Sequence, residues 1–229
     1  MLILALETST ELGSCALWHD GVVAERICPA GKSHSETLLP LVRELLAEAG
    51  VKVRQLDALA FGVGPGAFTG LRIACGAAQG LAVAANLPLI PVTSLETMAA
   101  QAGADRVLAL LDARMGEVYS GSYQLIDGAY LLRSEIRVSA PDAVALPAEP
   151  GWLACGNAIA AHPALAERLS TAGIAVQAEI LPTAATVARL AVPRAARGEG
   201  IDAALAAPLY IRDKVAKTVA ERLSEGGRA

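Results

Sequence analysis

Strand and helix signals follow one another in the same order twice along the chain, and this repeated order is the strongest constraint on the fold. In the first half, apolar runs at residues 2–6, 14–18 and 21–28 predict three short strands. Ser33 and Glu36 have the S-x-x-E spacing of a capping box at the start of a helix. Helix, strand, helix, strand and a further short helix are then predicted at residues 33–49, 56–63, 70–85, 89–92 and from Thr93 onward.

The second half of the chain repeats this pattern. Strands are predicted at residues 106–113, 117–125 and 130–138, and further strand and helix signals lie at 152–156, 162–172 and 183–196. A length of 229 residues suffices for two modest domains. We therefore expect two related βββαβα domains around a cleft, at residues 1–103 and 104–229, with the boundary near Gly103. This α/β arrangement resembles the actin-like ATPase and sugar-kinase (ASKHA) superfamily, which implies a fold and not a function.

A glycine-rich turn, GVGPGA at residues 62–67, follows a predicted strand and fits the G-x-G-x-x-A pattern of a phosphate-binding turn. A dinucleotide site also needs an acidic residue about 20 residues further on, and the next acidic residue is Glu96. The Walker pattern fails because no Gly-Lys-Ser/Thr occurs in this turn or after it, and the Gly-Lys-Ser at residues 31–33 lacks the glycine five residues earlier. In the first hairpin, where actin-like ATPases hold metal and phosphate, Glu7 and Glu11 would repel phosphate. These residues argue against an autonomous ATP site.

Residues that carry metal or nucleophilic chemistry are scattered along the chain. No two of the three histidines are within helical reach, the serines lack a G-x-S-x-G context, and the cysteines have no neighbouring base. We therefore predict no catalytic residue, no metal site and no cofactor. The four cysteines form no C-x-x-C pair and are expected to be buried, reduced thiols of a cytoplasmic protein.

The composition indicates a protein partner. Hydrophobic residues make up 54% of the chain and charged residues 18%, so more apolar surface needs cover than in an ordinary domain. The net charge of −4 comes without a basic stripe for a nucleic-acid backbone. The N-terminus lacks the basic region of a signal peptide, and polar residues and prolines interrupt the apolar run at residues 73–95, so no membrane span is predicted.

Six short motifs, taken together and in order, point to one family. They are ILALETS at residues 3–9, SHSETLLP at 33–40, GPGAFTGLRI at 64–73, TSLE at 93–96, DARMGEVY at 112–119 and YIR at 210–212. This set closely resembles the TsaB (YeaZ) family of bacterial tRNA threonylcarbamoyladenosine biosynthesis proteins, from residue 2 to about residue 218. The GPGAFTGLR block is the most specific part of the resemblance.

The resemblance implies a non-catalytic subunit required to add a threonylcarbamoyl group to N6 of adenosine 37 in tRNA. The implied partner is the catalytic paralogue TsaD, reached through the N-terminal helices, with the TsaE ATPase in the same complex and a homodimer when the chain is alone. Contact with tRNA is indirect or unknown. TsaD carries a metal-binding H-x-x-x-H pair in its first helix, and the matching positions here are His34 and Leu38, so one ligand is missing.

The partner surface is predicted on two helices. Gly76 and Gly80 lie four residues apart on one helix face, and small side chains there let another backbone approach closely. The first helix is apolar on more than one side, so it too is expected to meet a partner. The predicted interface residues are Leu38, Leu41, Val42, Leu45, Arg72, Ile73, Gly76, Ala77 and Gly80.

Alternatives to this interpretation remain open. The glycine-dotted helix lies against its own sheet in one of them, and in another the chain is an autonomous actin-fold kinase or a metallopeptidase-like enzyme. Arg72 is expected to form a structural salt bridge. Arg114 and Glu117 lie in a charged turn that is expected to be solvated, and the family resemblance makes them candidates for contacts near the interdomain cleft. The segment 214–229 has mixed charge and is a candidate contact for tRNA or a partner.

Overall fold

The computed structural model describes residues 1–212, so the predicted contacts of segment 214–229 lie outside the described residues. The first half contains β1 Leu2–Glu7, β2 Ser14–His19, β3 Val22–Ile27, α1 His34–Glu48, β4 Ala58–Gly64, α2 Phe68–Ala85, β5 Leu89–Thr93 and α3 Ser94–Ala102. The second half contains β6 Arg106–Arg114, β7 Glu117–Ile126, β8 Ala129–Leu132, β9 Arg137–Ser139, β10 Leu153–Cys155, α4 Ala158–Ala161, α5 Pro163–Thr171, β11 Ala175–Gln177 and α6 Ala184–Ala196.

Both halves contain the same mixed sheet. The strand order is β3-β2-β1-β4-β5 in the first sheet and β11-β10-β6-β7-β8 in the second, where β9 also pairs with β7. In each sheet the first strand of the half is antiparallel to the next strand and parallel to the strand on its other side. The repeated order confirms the duplicated α/β, actin-like (ASKHA) fold.

Each sheet has helices on both faces. In β1, Leu4 and Leu6 belong to the core beneath α1 and α2, while Ile3 and Ala5 belong to the core beneath α6. A strand buried on both faces is continuously apolar rather than alternating, which explains the sequence LILALE. By length and composition alone α2 is apolar enough to cross a membrane, and here its buried face covers the first sheet.

The helices α3 and α6 are exchanged between the two halves. α6 comes last in the described chain but packs on the first sheet, where Val187 and Ala191 join its core. α3 precedes the second sheet but covers one face of it, with Leu95 and Met98 in that core. The chain therefore passes from the first sheet to the second near Gly103, but each sheet's core includes a helix from the other half of the chain. The division into domains 1–103 and 104–229 stays a prediction.

An ion pair joins the two exchanged helices where they cross. Arg194 of α6 lies 2.5 Å from the carboxylate of Glu96 in α3, and it also donates to the carbonyl of Pro91 at 3.1 Å. Burial raises the pKa of Glu96, and the adjacent guanidinium opposes that shift. The pair therefore fixes the crossing of α3 and α6 at a largely water-excluded point.

The capping-box prediction at α1 is wrong, although the helix begins within one residue of its expected start. The Ser33 side chain makes no capping hydrogen bond, and its hydroxyl lies 2.7 Å from that of Ser35. The amide of Glu36 donates instead to the Ser33 carbonyl at 3.1 Å. At α3 the expected cap is present, since Thr93 Oγ1 accepts from the amide of Glu96 at 3.2 Å.

The expected strand at residues 130–138 is two strands, β8 and β9. The chain leaves the sheet after β8, where the Ser134 hydroxyl accepts a hydrogen bond from the amide of Ser122 at 2.9 Å. It returns to pair with β7 as β9. A polar side chain that binds the neighbouring strand's amide replaces the ladder at this point, so the single-strand prediction is wrong.

Candidate functional site

The glycine turn between β4 and α2 packs against the backbone of the β1–β2 hairpin. A Cβ atom added at Gly66 would lie 2.4 Å from the carbonyl oxygen of Ser9, and one at Gly70 would lie 1.8 Å from that of Thr8. The Ala67 amide donates to the Ser9 carbonyl at 2.7 Å, and the Thr8 hydroxyl donates to the Gly70 carbonyl at 2.7 Å. Because only glycine allows backbones to approach so closely, these glycines serve the contact between turn and hairpin.

Glu7, at the end of β1, is fully buried beneath the same turn. Its Oε1 accepts from the amide of Ser9 at 2.6 Å, while Oε2 has no hydrogen-bond partner among the described residues. A Cβ atom added at Gly62 would lie 1.9 Å from Oε2. Burial raises the pKa of the Glu7 carboxyl, which favours its neutral form. The carboxyl is therefore enclosed by its own chain and does not line the cleft.

The cleft between the two halves is small and flanked by acidic groups. It encloses about 390 Å³ between the β1–β2 hairpin and the end of β6. Arg114 lies at this cleft, as predicted, and its guanidinium is 3.8 Å from the carboxylates of both Glu11 and Asp112. Asp112 also lies 3.3 Å from the ring of His162. Because two carboxylates already flank Arg114, little positive charge remains to hold a phosphate.

Helix α2 has one buried face and one open face. Its buried residues are Gly70, Leu71, Ala74, Cys75, Ala78 and Ala82. On the other side, a Cβ atom added at Gly76 or Gly80 would meet no described atom within 4 Å, and Val83 is 73% exposed. The alternative that these two glycines pack on their own sheet is therefore wrong. We call the strip formed by Arg72, Gly76, Gly80 and Val83, with the half-buried Ile73 and Ala77 at its edge, the glycine face.

The α1 residues of the predicted interface lie mainly inside the chain. Leu38, Val42 and Leu45 are buried in the core of the first sheet, because their spacing places them on the helix face toward that sheet. The prediction that these three contact a partner is wrong in this conformation, since the chain itself covers their side chains. Leu41 is half-buried, and Leu39, at 49% exposure, adds apolar surface on the outer side of α1.

Arg72 does not form the predicted salt bridge with any described residue. Its Nε donates to the hydroxyl of Tyr210 at 3.0 Å, and its guanidinium lies 3.8 Å from the ring centroid of Phe68. The two rings are 5.4 Å apart. Arg72 follows Phe68 by one helical turn, so an aromatic ring rather than a carboxylate is its neighbour on the helix. Sequence reasoning missed this cluster, for which the YIR motif was the available signal.

Comparisons with known proteins find a TsaD family model and TsaB relatives. Residues 19–219 match the family model described as TsaD: tRNA N6-adenosine threonylcarbamoyltransferase. The chain is 39% identical to the tRNA threonylcarbamoyladenosine biosynthesis protein TsaB of Escherichia coli K12, over 94% of this chain and 96% of that protein. The chain belongs to the TsaB family.

Other TsaB-family members support the assignment. The protein of the same name from Haemophilus influenzae is 47% identical over 52% of each chain. The solved structure of YeaZ from Pseudomonas aeruginosa has a TM-score of 0.81 at 42% identity, covering 91% of this chain and 99% of that one. A second structure from Pseudomonas aeruginosa, described as similar to the peptidase YEAZ, has a TM-score of 0.83 at 43% identity, covering 92% and 99%. The TsaB relatives are tRNA threonylcarbamoyladenosine biosynthesis proteins by name.

In this TsaB-family chain, neither of the two positions that match the metal-binding pair of TsaD has the surroundings of a metal ligand. His34 is half-buried, and its Nε2 lies 3.3 Å from the carbonyl oxygen of Glu11. Leu38 is buried in the apolar core. Residues 1–212 contain no group of three or more His, Cys, Asp or Glu side chains that could hold a metal ion. The exposed glycine face is thus the surface feature that most needs a functional explanation.

Proposed function

We propose that this chain is a non-catalytic subunit for the formation of N6-threonylcarbamoyladenosine in tRNA, and that it docks TsaD through the glycine face. The observation that carries the proposal is the open position of Gly76 and Gly80 in the middle of a long helix. Family membership supplies the pathway, since the relatives are TsaB proteins and the matching family model is that of TsaD.

The two glycines lower the stability of the isolated chain. Each glycine in a helix interior costs about 1 kcal/mol relative to alanine, and no described atom lies near enough to Gly76 or Gly80 to compensate. A helix of a partner can compensate, because a surface without side chains lets two backbones approach closely. The exposed Val83, one turn beyond Gly80, offers apolar area to the same partner.

The edge of the docking surface lies on α1. This helix contacts α2 and carries the exposed Leu39 and the half-buried Leu41. Two adjacent helices with apolar and small residues suit a helix pair of the partner, packed at the usual interaxial distance of about 8–10 Å. In the absence of TsaD, a second copy of this chain can use the same surface, which accounts for the expected homodimer.

The absence of an activity of its own is part of the proposal. Glu7 is enclosed beneath the glycine turn, and the cleft beyond it is small and flanked by Glu11 and Asp112. These features support a non-catalytic role as scaffold for TsaD. Within the same complex, in the cytoplasm, the proposal includes the TsaE ATPase and assigns no direct contact with tRNA.

The docking test uses bulky substitutions on the glycine face. Gly76→Phe and Gly80→Phe should each raise the dissociation constant for TsaD at least about tenfold, because a large ring separates the two helices. Ala164→Phe, at an exposed position of α5, is the matched control and should bind as the wild type does. Titration calorimetry measures the affinities, and circular dichroism checks the fold. Unchanged binding by folded Gly76→Phe and Gly80→Phe chains would overturn the docking proposal.

A separate titration tests the enzymatic alternative. Purified chain titrated with ATP and Mg²⁺ should give a flat calorimetric trace. Tight nucleotide binding by the isolated chain would instead support an autonomous actin-fold enzyme.

A further inference from the structure

A second surface lies at the start of α2, where three large apolar side chains from distant parts of the sequence surround a groove. Phe68 is 36% exposed, Met115 is 66% exposed and Tyr210 is 45% exposed. The groove is open to solvent and has a volume of about 710 Å³ between α2, the turn that joins β6 to β7, and the segment 209–212. We call it the aromatic groove. Large apolar side chains gathered on a surface mark an interaction site more often than the same side chains scattered singly.

The walls of the aromatic groove are held in place by specific contacts. Arg72 stacks on Phe68 and donates to the Tyr210 hydroxyl. The amide of Leu209 donates to the carbonyl of Val63 at 2.7 Å, which ties the segment 209–212 to β4. A surface that is ordered before binding loses less conformational freedom when a partner arrives.

The opposite wall is held by Arg212. It donates to the carbonyl of Ala113 at 3.2 Å and lies 3.4 Å from the sulfur of Met115. It also pairs with Glu117, which the family resemblance makes a candidate for contacts near the cleft. Met115 sits in the left-handed region with φ of 54°, on the turn between β6 and β7, where its flexible thioether can adapt to an incoming side chain.

The charged side chains around the groove favour a ligand that carries a negative charge next to the group bound in the groove. Arg114 and Arg212 line the groove, and no acidic residue does. Arg212 is paired with Glu117, and Arg114 is flanked by the carboxylates of Glu11 and Asp112 at 3.8 Å, so the charges of both are compensated. Arg72 has no carboxylate partner among the described residues, and its contacts are a ring and a hydroxyl. The groove therefore suits an apolar or aromatic group with a carboxylate beside it.

A protein segment fits these charges better than a nucleic acid. An unpaired base would also combine a ring with an anion, but its strand carries a phosphate at every nucleotide. Such a strand would pass Glu11, Asp112 and Glu117, which surround the same arginines, on a chain with a net charge of −4. A protein segment can place a single carboxylate beside the groove without carrying further negative charges past these acidic residues.

We infer that the aromatic groove receives an apolar side chain, flanked by Asp or Glu, of the same protein that docks on the glycine face. This rests on the proposed function, because Phe68 and Arg72 belong to the same helix as Gly76. Phe68 and Gly76 are separated by about 12 Å along the helix axis, a distance that one partner covers easily. The groove adds specificity to a docking surface that otherwise consists of small residues.

The test measures the dissociation constant between the full chain and TsaD by titration calorimetry. Phe68→Ser and Met115→Ser should each weaken binding at least about tenfold, as expected for apolar contacts at the centre of an interface. Arg72→Gln should weaken binding and also reduce its dependence on salt concentration. Val176→Ser, at an exposed apolar position on β11, is the control and should leave the affinity unchanged. Met115→Ser is expected to fold, since the side chain is mostly in solvent.

The outcomes separate this inference from the proposed function. If Gly76→Phe abolishes binding while Phe68→Ser and Met115→Ser bind as the wild type does, the groove inference is overturned and the docking proposal stands. If wild-type chain does not bind TsaD at all, both are overturned. If the serine variants leave TsaD binding intact but weaken binding of unmodified tRNA, or dissociate a homodimer in light scattering, the occupant is different and the inference is wrong.

Discussion

Replacing Gly76 by alanine should stabilise the isolated chain while weakening its complex. The added methyl group meets no described atom within 4 Å, so the folded state loses no contact. Alanine in a helix interior is favoured over glycine by about 0.8–1 kcal/mol, in part because the unfolded chain has fewer conformations to lose. For a protein of this size, about 1 kcal/mol raises the melting temperature by about 2–4 °C. Gly80→Ala should act in the same way, and the double variant should gain about twice as much.

Gly70→Ala is the matched control within the same helix, and its effect should have the opposite sign. The new Cβ atom would lie 1.8 Å from the carbonyl oxygen of Thr8, which is backbone of a buried hairpin. Relief of this overlap requires movement of the turn or of β1, and overpacking of this kind destabilises by about 1–3 kcal/mol or more. The sign of the stability change on replacing glycine by alanine thus distinguishes the buried face of α2 from its open face.

The assay is urea unfolding followed by circular dichroism, at a protein concentration low enough to keep the chain monomeric. The midpoint should rise for Gly76→Ala and fall for Gly70→Ala, with the slope unchanged. The affinity for TsaD should fall for Gly76→Ala, because the methyl group enters the closest part of the helix contact. A lower unfolding midpoint for Gly76→Ala would refute the reasoning, since it would mean that this glycine is packed within the folded chain.

Three further predictions concern buried groups. Burial raises the pKa of Glu7 above its ordinary value of 4.5, so the folded chain binds this proton more tightly than the unfolded chain and loses stability as the pH rises above about 4.5. Glu7→Gln should remove that part of the pH dependence of the urea midpoint, and an unchanged profile would contradict the assignment. Arg194→Met leaves the Glu96 carboxylate without its cation and should reduce the free energy of unfolding by about 3 kcal/mol, with partial recovery on adding Glu96→Gln; calorimetric melting that shows no loss would contradict it. Burial raises the pKa of Cys15 and Cys155 to about 12, so these thiols should resist a disulfide reagent in the folded chain and react after unfolding, and rapid labelling of the native protein would count against this.

The hydrophobic periodicity of the sequence predicts most of the fold, because the long helices and strands are each buried on defined faces. The run LILALE predicts a strand, and in the structure both faces of this strand are buried. The strand β11 and the helix α4 contain three and four residues, too few to show a period. At α1 the sequence correctly indicates a helix start, but Ser35 competes for the Ser33 hydroxyl that the capping box would need.

The candidate site was only partly predictable, for a physical reason. The spacing of Gly76 and Gly80 places them on one face in any α-helix, and the structure leaves that face open. The spacing of Leu38 and Val42 also defines a face, but a chain's own core and a partner's surface require the same apolar pattern. The contact between Arg72 and Tyr210 joins residues 138 positions apart, so no local pattern in the sequence contains it.

The exchange of α3 and α6 makes each half depend on the other for its solubility. A fragment that ends at Gly103 would carry Ile3, Ala5 and Val92 with no helix above them, and it would present an uncovered apolar sheet to every other molecule in solution. The two halves are therefore expected to unfold in one step. Because the contact between α3 and α6 joins the two sheets in addition to the linker near Gly103, widening of the cleft is expected to strain the ion pair between Glu96 and Arg194.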